Sequence, residues 1–256
     1  MIDIHPSAIV HNGASLAEGV SIGPFSIIED DVEIGEGSQI HSHVLVARGA
    51  RIGGNCQIHH GTVVATIPQD LKFSGEKTIL QIGDNTIIRE FCSINRGTKD
   101  RGSTQIGRDC FLMAYTHVAH DCWVGDGVIL ANGVQLAGHV TIEDWVIVGG
   151  LVPVHQFCRI GQHAIIGGGF RAVQDVPPYI LTAGEPLAYK GLNIIGLKRR
   201  GFSKETCQSL KSCYRILYRS RLNRNQAIEK IRSEIEMIPE VEAVLEFGEN
   251  SKRGII

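Results

Sequence analysis

Aromatic residues make up only 6% of the 256-residue chain, so large core side chains are scarce and the interior must be built from small and aliphatic groups. Neither sign of charge dominates. Twenty-five Lys and Arg face 27 Asp and Glu, a formal charge of −2, which gives no reason to expect nucleic acid or an acidic membrane surface as partner. No long apolar run is present. The stretch Val146–Val154 has nine residues, too few to cross a bilayer, so no transmembrane segment is expected. The N-terminal MIDIHPSAIV lacks a basic-then-apolar leader. The seven cysteines (Cys56, Cys92, Cys110, Cys122, Cys158, Cys207, Cys213) include no CxxC pair. An odd number without a secretory framework predicts reduced thiols and a cytoplasmic protein. There is no GxSxG elbow either. With 20% charged and 43% hydrophobic residues, a disordered chain is excluded.

What the chain does have is a period of six. Stepping by six from Ile4 to Ile166 visits 28 positions, of which 25 are Ile, Val or Leu; only Asp70, Glu76 and Asp100 break the series. Gly often follows the aliphatic residue (Gly23, Gly35, Gly53, Gly83, Gly107, Gly125), and a small or β-branched residue stands four after it (Ala8, Ala14, Val20, Ser26, Val32). Six fits neither a helix nor a plain strand. It suits short strands joined by bends, with the Gly expected to supply conformational freedom at the corners. Three hexads would close one triangular coil of 18 residues. About nine coils would make a prism roughly 45 Å long at ordinary strand spacing. The breaks fall in two expected excursions near residues 67–80 and 97–104, which keep the register and so read as insertions at corners of a working face. The pattern stops after Val173, and Asp175–Tyr179 (DVPPY) is expected to end the prism. From Ser203 the spacing of Cys207, Leu210, Tyr214 and Leu217 is helical, with further helices near 225–237 and 239–248. The division expected is a β-helix over 1–190 and a small helical domain over 191–256.

Residues 18 apart should stack. His120, Gly138 and Gln156 then form one column, Asp121, His139 and Phe157 the next, and Ala119, Ala137 and His155 lie on the other side. His117 adds an imidazole three residues before His120. A neutral imidazole at His120 suits a general base, although Asp121, as its strand neighbour, faces the other way unless a bend intervenes. The backbone N–H of Gly138 suits an oxyanion. Direct transfer onto a hydroxyl fits better than a covalent intermediate, because only Cys122 stands near as a nucleophile and it reads as core. Three histidines from neighbouring coils would also suit Zn²⁺, and a non-catalytic scaffold is a further reading. The remaining histidines, His163 among them, read as solvated surface groups.

The ordered segments HVAHDC (117–122), LAGHV (136–140), VHQFCRIG (154–161), QDVPPY (174–179) and GLKRRGF (196–202), preceded by PQDLK (68–72) and NRGT (95–98), carry a resemblance. Over essentially its whole length the chain resembles the UDP-N-acetylglucosamine 3-O-acyltransferase family of lipid A biosynthesis. The resemblance implies a left-handed parallel β-helix of hexapeptide repeats followed by a small C-terminal α-helical domain, assembled as a homotrimer with sites between subunits. It implies transfer of an (R)-3-hydroxyacyl chain from acyl carrier protein to the 3-hydroxyl of UDP-N-acetylglucosamine, with no metal or other cofactor. By motif, His120 is then the base, Asp121 its partner and Gly138 the oxyanion donor. Gln69, Asp70 and Lys72 hold the sugar nucleotide, His117, His139, His155 and Gln156 line the site, and Asn193, Arg199 and Arg200 contact the nucleotide. The chain departs from the family at Asn95, where a His is common, and at Ile195, where an acidic residue is. Gly168 stands at the position that measures acyl length. Glycine leaves that groove open, implying a chain of about 14 carbons or more, each buried methylene contributing about 0.8 kcal/mol. Lys198, Arg199, Arg200, Lys204, Lys211, Arg215, Arg219, Arg221 and Arg224 make the C-terminal part locally basic, as docking of an acidic carrier protein requires.

Overall fold

The computed structural model describes residues 1–256. The repeat builds three parallel sheets, one per side of a triangular prism. The first face starts at Asp3–Ile4, the second at Ile9–Val10 and the third at Ser15–Leu16, and the chain then returns to the first face at Ser21–Ile22. Most strands are two residues long because only two residues separate one bend from the next. The outer residue meets solvent and the inner one, always on the six-residue grid, points into the prism. From Ile22 onward every grid aliphatic is buried in one continuous core, each worth about 1.5–3 kcal/mol relative to exposure. At the N-terminal end the prism is open, and Ile4 is exposed.

The spacing of 18 holds along most of the prism, as in Asp3↔Ser21 and His117↔Gln135. It widens at the two excursions. Ile52 pairs with Ile82, 30 residues on, and Ile82 with Ile106, 24 on. Relative to 18 these are insertions of twelve and six, both multiples of the repeat, which is why the register survives them. Both leave the second face and re-enter the third, the first between Thr66 and Ile79 and the second between Asn95 and Ser103. They therefore project from one corner of the prism.

The corner glycines have a different role from the one expected. The left-handed residue falls three after the grid position and is filled by Asn55, Asp31, Asp121, His139, and even Phe25 and Trp145. The glycine one after the grid residue is needed for room. A Cβ at Gly35 would stand 2.6 Å from the backbone of Gly53 in the next coil, and one at Gly23 would stand 2.8 Å from that of His41.

The expected stop at DVPPY is also corrected. Val176 bridges Ile160, and Ile180–Ala183 adds a further parallel strand to the first face before Ala188–Leu192 returns antiparallel. Pro177 and Pro178 occupy the bend between those pairings, so their missing N–H groups remove no ladder bond. The sheet runs to Leu192, and helices follow: α1 (Ile194–Arg199), α2 (Lys204–Arg219), α3 (Arg224–Glu234) and α4 (Pro239–Glu249). Ser203 caps α2 by accepting from the Thr206 N–H, and Asn223 opens α3 with a capping box. The short α1 has too little periodicity to be read from sequence. Leu210 and Tyr214 of α2 are buried, and the Tyr214 hydroxyl donates to the Pro178 carbonyl at 2.6 Å, fixing the helices to the prism end.

Candidate active site

The corner that carries both excursions also carries the histidine columns. Asp121 has φ +58°, a left-handed conformation that Asp tolerates better than most residues. That bend turns it back toward its neighbour, so the strand rule that would send the two side chains apart does not apply. Asp121 Oδ2 lies 2.8 Å from His120 Nδ1. A carboxylate only accepts, so Nδ1 carries a proton, and in the neutral ring Nε2 is the acceptor, on the side of the ring that meets Gly138.

Asp121 is fully buried. Oδ1 accepts from the Thr98 N–H at 2.9 Å and Oδ2 from the Thr98 hydroxyl at 2.7 Å. Burial pushes the carboxyl pKa up, but the hydrogen bonds from Thr98 and His120 outweigh it and hold the group below the usual range. His139 stands edge-on to His120 with ring centroids 5.3 Å apart, its Nε2 3.7 Å from Asp121 Oδ2. Burial lowers its pKa despite that carboxylate. Phe157 stacks on His139 at 4.6 Å, as the column predicts.

Gly138 sits one coil above His120. A Cβ there would lie 2.7 Å from His120 Cε1 and 2.8 Å from Nε2, so glycine is what lets the backbone approach the ring. The Gly138 N–H donates to no backbone or side-chain acceptor of the chain, whereas the flanking amides of Ala137 and His139 donate to Val154 and His120 carbonyls. His117 is half-buried, 2.7 Å from Ser93 Oγ, with burial lowering its pKa. Cys122 is buried and its thiol is pushed up to about 12 by burial, which suits core and not a nucleophile.

Other expected residues make contacts of their own. His155 is exposed and its Nδ1 accepts from Arg253 of the C-terminal tail, which also donates to the Gln156 carbonyl at 2.8 Å. The imidazole is thus drawn to the tail, and the three-histidine metal set is not formed. The group that could hold an ion is instead His120, Asp121 and His139, whose ligand atoms lie within 4.8 Å of one another. Gln69 and Lys72 are exposed on the first excursion, where Asp70 Oδ1 accepts from the Lys72 N–H. The second excursion touches the first through the Lys99 N–H and Glu76 Oε1, 3.2 Å.

Asn193, Arg199 and Arg200 lie at a different corner, between the third and first faces. The Asn193 side chain caps α1 and donates to the His163 carbonyl at 2.9 Å. Arg200 lies over the Trp145 ring, 3.6 Å from its centroid. His163, expected as a solvated group, is instead buried between Tyr179 and Phe202. Burial, with Arg200 nearby, brings its pKa to about 4. Gly168 occupies the third corner, exposed above Gly150 as its column requires. Sequence reasoning missed Thr98, Ser93, Arg253 and Trp145. Thr98 and Ser93 were hidden because their coil is offset by 24 and not 18. Arg253 carried no pattern at all.

The family model for bacterial transferase hexapeptide repeats matches residues 13–48 and 103–138, and that described as UDP-N-acetylglucosamine O-acyltransferase, domain 2, matches 175–256. The chain is 51% identical to the acyl-(acyl-carrier-protein)–UDP-N-acetylglucosamine O-acyltransferase of Thiobacillus denitrificans, all of each chain being covered. It is 52% identical to the protein of that name from Aliivibrio fischeri, over 99% of this chain and 97% of the other. The solved UDP-N-acetylglucosamine acyltransferase of Bacteroides fragilis superposes with a TM-score of 0.97 at 44% identity, covering 98% of this chain and 99% of that one. The one from Campylobacter jejuni superposes at 0.92 with 35% identity, covering 99% and 98%.

Proposed function

The chain belongs to the UDP-N-acetylglucosamine O-acyltransferase family, and from that premise we propose that it moves an (R)-3-hydroxyacyl chain from acyl carrier protein to the 3-hydroxyl of UDP-N-acetylglucosamine, the first step of lipid A biosynthesis. The observation that carries the division of labour is the His120–Asp121 pair facing an unused backbone N–H at Gly138, one coil away.

In this reading His120 Nε2 takes the proton of the sugar hydroxyl as its oxygen attacks the thioester carbonyl. Asp121 fixes the tautomer and balances the imidazolium that forms. The Gly138 N–H receives the developing oxyanion, where a preorganised donor acts only as charge appears. Collapse breaks the C–S bond, and the imidazolium returns the proton to the leaving thiolate. His117, His139, His155 and Gln156 line the reacting centre. Gln69, Asp70 and Lys72 of the first excursion hold the sugar, while Asn193, Arg199 and Arg200 contact the nucleotide. Gly168 bounds the far end of the acyl groove along the second face.

Those nucleotide residues and His120 occupy different corners of one prism, so a complete site needs a neighbouring copy, which supports a homotrimer with sites between subunits. No helix is long and apolar enough to cross a membrane, and the enzyme acts in the cytoplasm on a soluble carrier protein. The test is transfer from 3-hydroxyacyl carrier protein to UDP-N-acetylglucosamine, wild type beside His120→Ala. Loss of about 10³-fold in kcat/KM is expected; full turnover in the variant refutes the base assignment. Because His120, Asp121 and His139 could hold an ion, the same assay is run with chelator. Activity abolished by chelator and restored by stoichiometric zinc would replace this reading with a metal-dependent one.

A further inference from the structure

The second excursion leaves the prism one level below Asp121, and this is why Thr98 arrives directly against that carboxylate. Thr98 is itself buried. Its hydroxyl accepts from the Asp100 N–H at 3.2 Å, so its single proton is committed to Asp121 Oδ2 at 2.7 Å. The same oxygen accepts from His120 Nδ1 at 2.8 Å. Two donors thus share Oδ2, while Oδ1 is held by the Thr98 backbone N–H. The loop is anchored on both sides of this contact: Gly102 N–H donates to the Thr98 carbonyl at 2.7 Å, and Arg101 donates to the Asp121 carbonyl at 2.8 Å.

We propose that Thr98 is a positioning residue for acyl transfer, its hydroxyl fixing the Asp121 carboxylate and moderating the pull of that carboxylate on the His120 ring. The inference rests on His120 being the base. A buried carboxylate with a free lone pair would be able to rotate or to bind the imidazolium more tightly, and either change alters the base without touching substrate. The charged and titratable groups facing His120 and its partner are Asp121, His139, His117, Asp100 and Arg101. Thr98 is the one non-titratable side chain bonded to the carboxylate.

The experiment compares wild type, Thr98→Val, Thr98→Ser and His120→Ala over a pH series, with acyl carrier protein donor and UDP-N-acetylglucosamine. Valine keeps the shape and the backbone N–H but removes the hydroxyl. The expected result is a kcat lower by about tenfold with KM little changed, since a hydrogen bond to a charged group is lost. The acid limb of the kcat/KM profile should also move to higher pH, because a carboxylate relieved of its second donor favours the protonated ring. Serine should restore kcat to within about threefold and return the limb. A Thr98→Val enzyme with unchanged kcat and limb overturns the proposal, and so does a lowered kcat with an unmoved limb, which marks a merely structural residue. Full activity in His120→Ala would instead refute the base assignment itself. Should Thr98→Val fail to fold, titration of the His120 ring followed by imidazole ¹⁵N shifts in Thr98→Ala reads the same quantity, and an unmoved titration overturns the proposal.

Discussion

Replacing Gly138 by alanine adds one carbon and two hydrogens to a 256-residue protein, yet the structure predicts a large and local effect. The new Cβ would stand 2.7 Å from His120 Cε1 and 2.8 Å from Nε2. Ordinary contact begins near 3.4 Å, so the ring must retreat by about 0.6–0.7 Å or rotate. In the proposed mechanism retreat moves Nε2 off the line to the attacking hydroxyl, and rotation breaks the 2.8 Å bond to Asp121. A displacement of that size in a positioned catalytic group costs about 10²-fold in rate, or about 2.7 kcal/mol of transition-state stabilisation. Backbone strain is not the cause, since Gly138 is not among the glycines with positive φ. Thermal stability should therefore change little, while kcat falls at least tenfold more than KM changes. The assay is steady-state transfer from 3-hydroxyacyl carrier protein to UDP-N-acetylglucosamine, paired with a thermal melt. Gly248→Ala serves as control, because that helical position has open space around it and should gain up to about 1 kcal/mol without loss of activity. A folded Gly138→Ala enzyme with kcat within about twofold of wild type would refute the geometric reasoning.

The buried His163 makes stability depend on pH. Its pKa falls from 6.5 to about 4 in the folded protein, so the contribution is complete above pH 6.5 and is lost as pH drops toward 4. That loss is worth about 3 kcal/mol. Chemical denaturation at a series of pH values should show it in wild type and a smaller loss in His163→Phe, which keeps the ring stacking; identical slopes would refute the assignment. Gly168→Met should shift donor preference to shorter chains, since a Cβ there already stands 3.2 Å from the Gly150 carbonyl oxygen and, on the proposed placement of the acyl chain, the longer side chain would occupy its path. Competition between 10- and 14-carbon donors tests it, and a wild-type enzyme faster with the 10-carbon chain contradicts the open-groove reading.

The repeat was legible because a solenoid writes its tertiary structure locally. Each inward residue recurs at a fixed step, so counting by six from Ile4 locates the core, the coil and the columns containing His120, Gly138 and Gln156. The same counting misplaced roles where chemistry depends on what lies beyond one coil. The glycine after each grid residue looked like a corner residue, but the left-handed bend falls two residues later and the glycine serves the close approach of the next coil. His163 looked like its solvated neighbours until Tyr179 and Phe202 closed over it from the chain that follows. Pro177 and Pro178 looked like a terminus, although a bend between two pairings tolerates them.

The site divides in the same way. Composition, the absence of charge excess and the six-residue grid were enough to expect coils of short strands with two insertions at corners and a cluster of imidazoles; that both insertions share one corner came from the structure. Tertiary structure alone decided that Asp121 turns back onto His120, that Thr98 reaches the same carboxylate across 23 residues, and that Arg253 returns from the tail to His155. The physical reason is range. Burial of a periodic aliphatic row is set by neighbours six and 18 residues away, whereas a hydrogen bond needs two particular atoms within about 3 Å, and no period in the chain records where an insertion or a tail will come to rest.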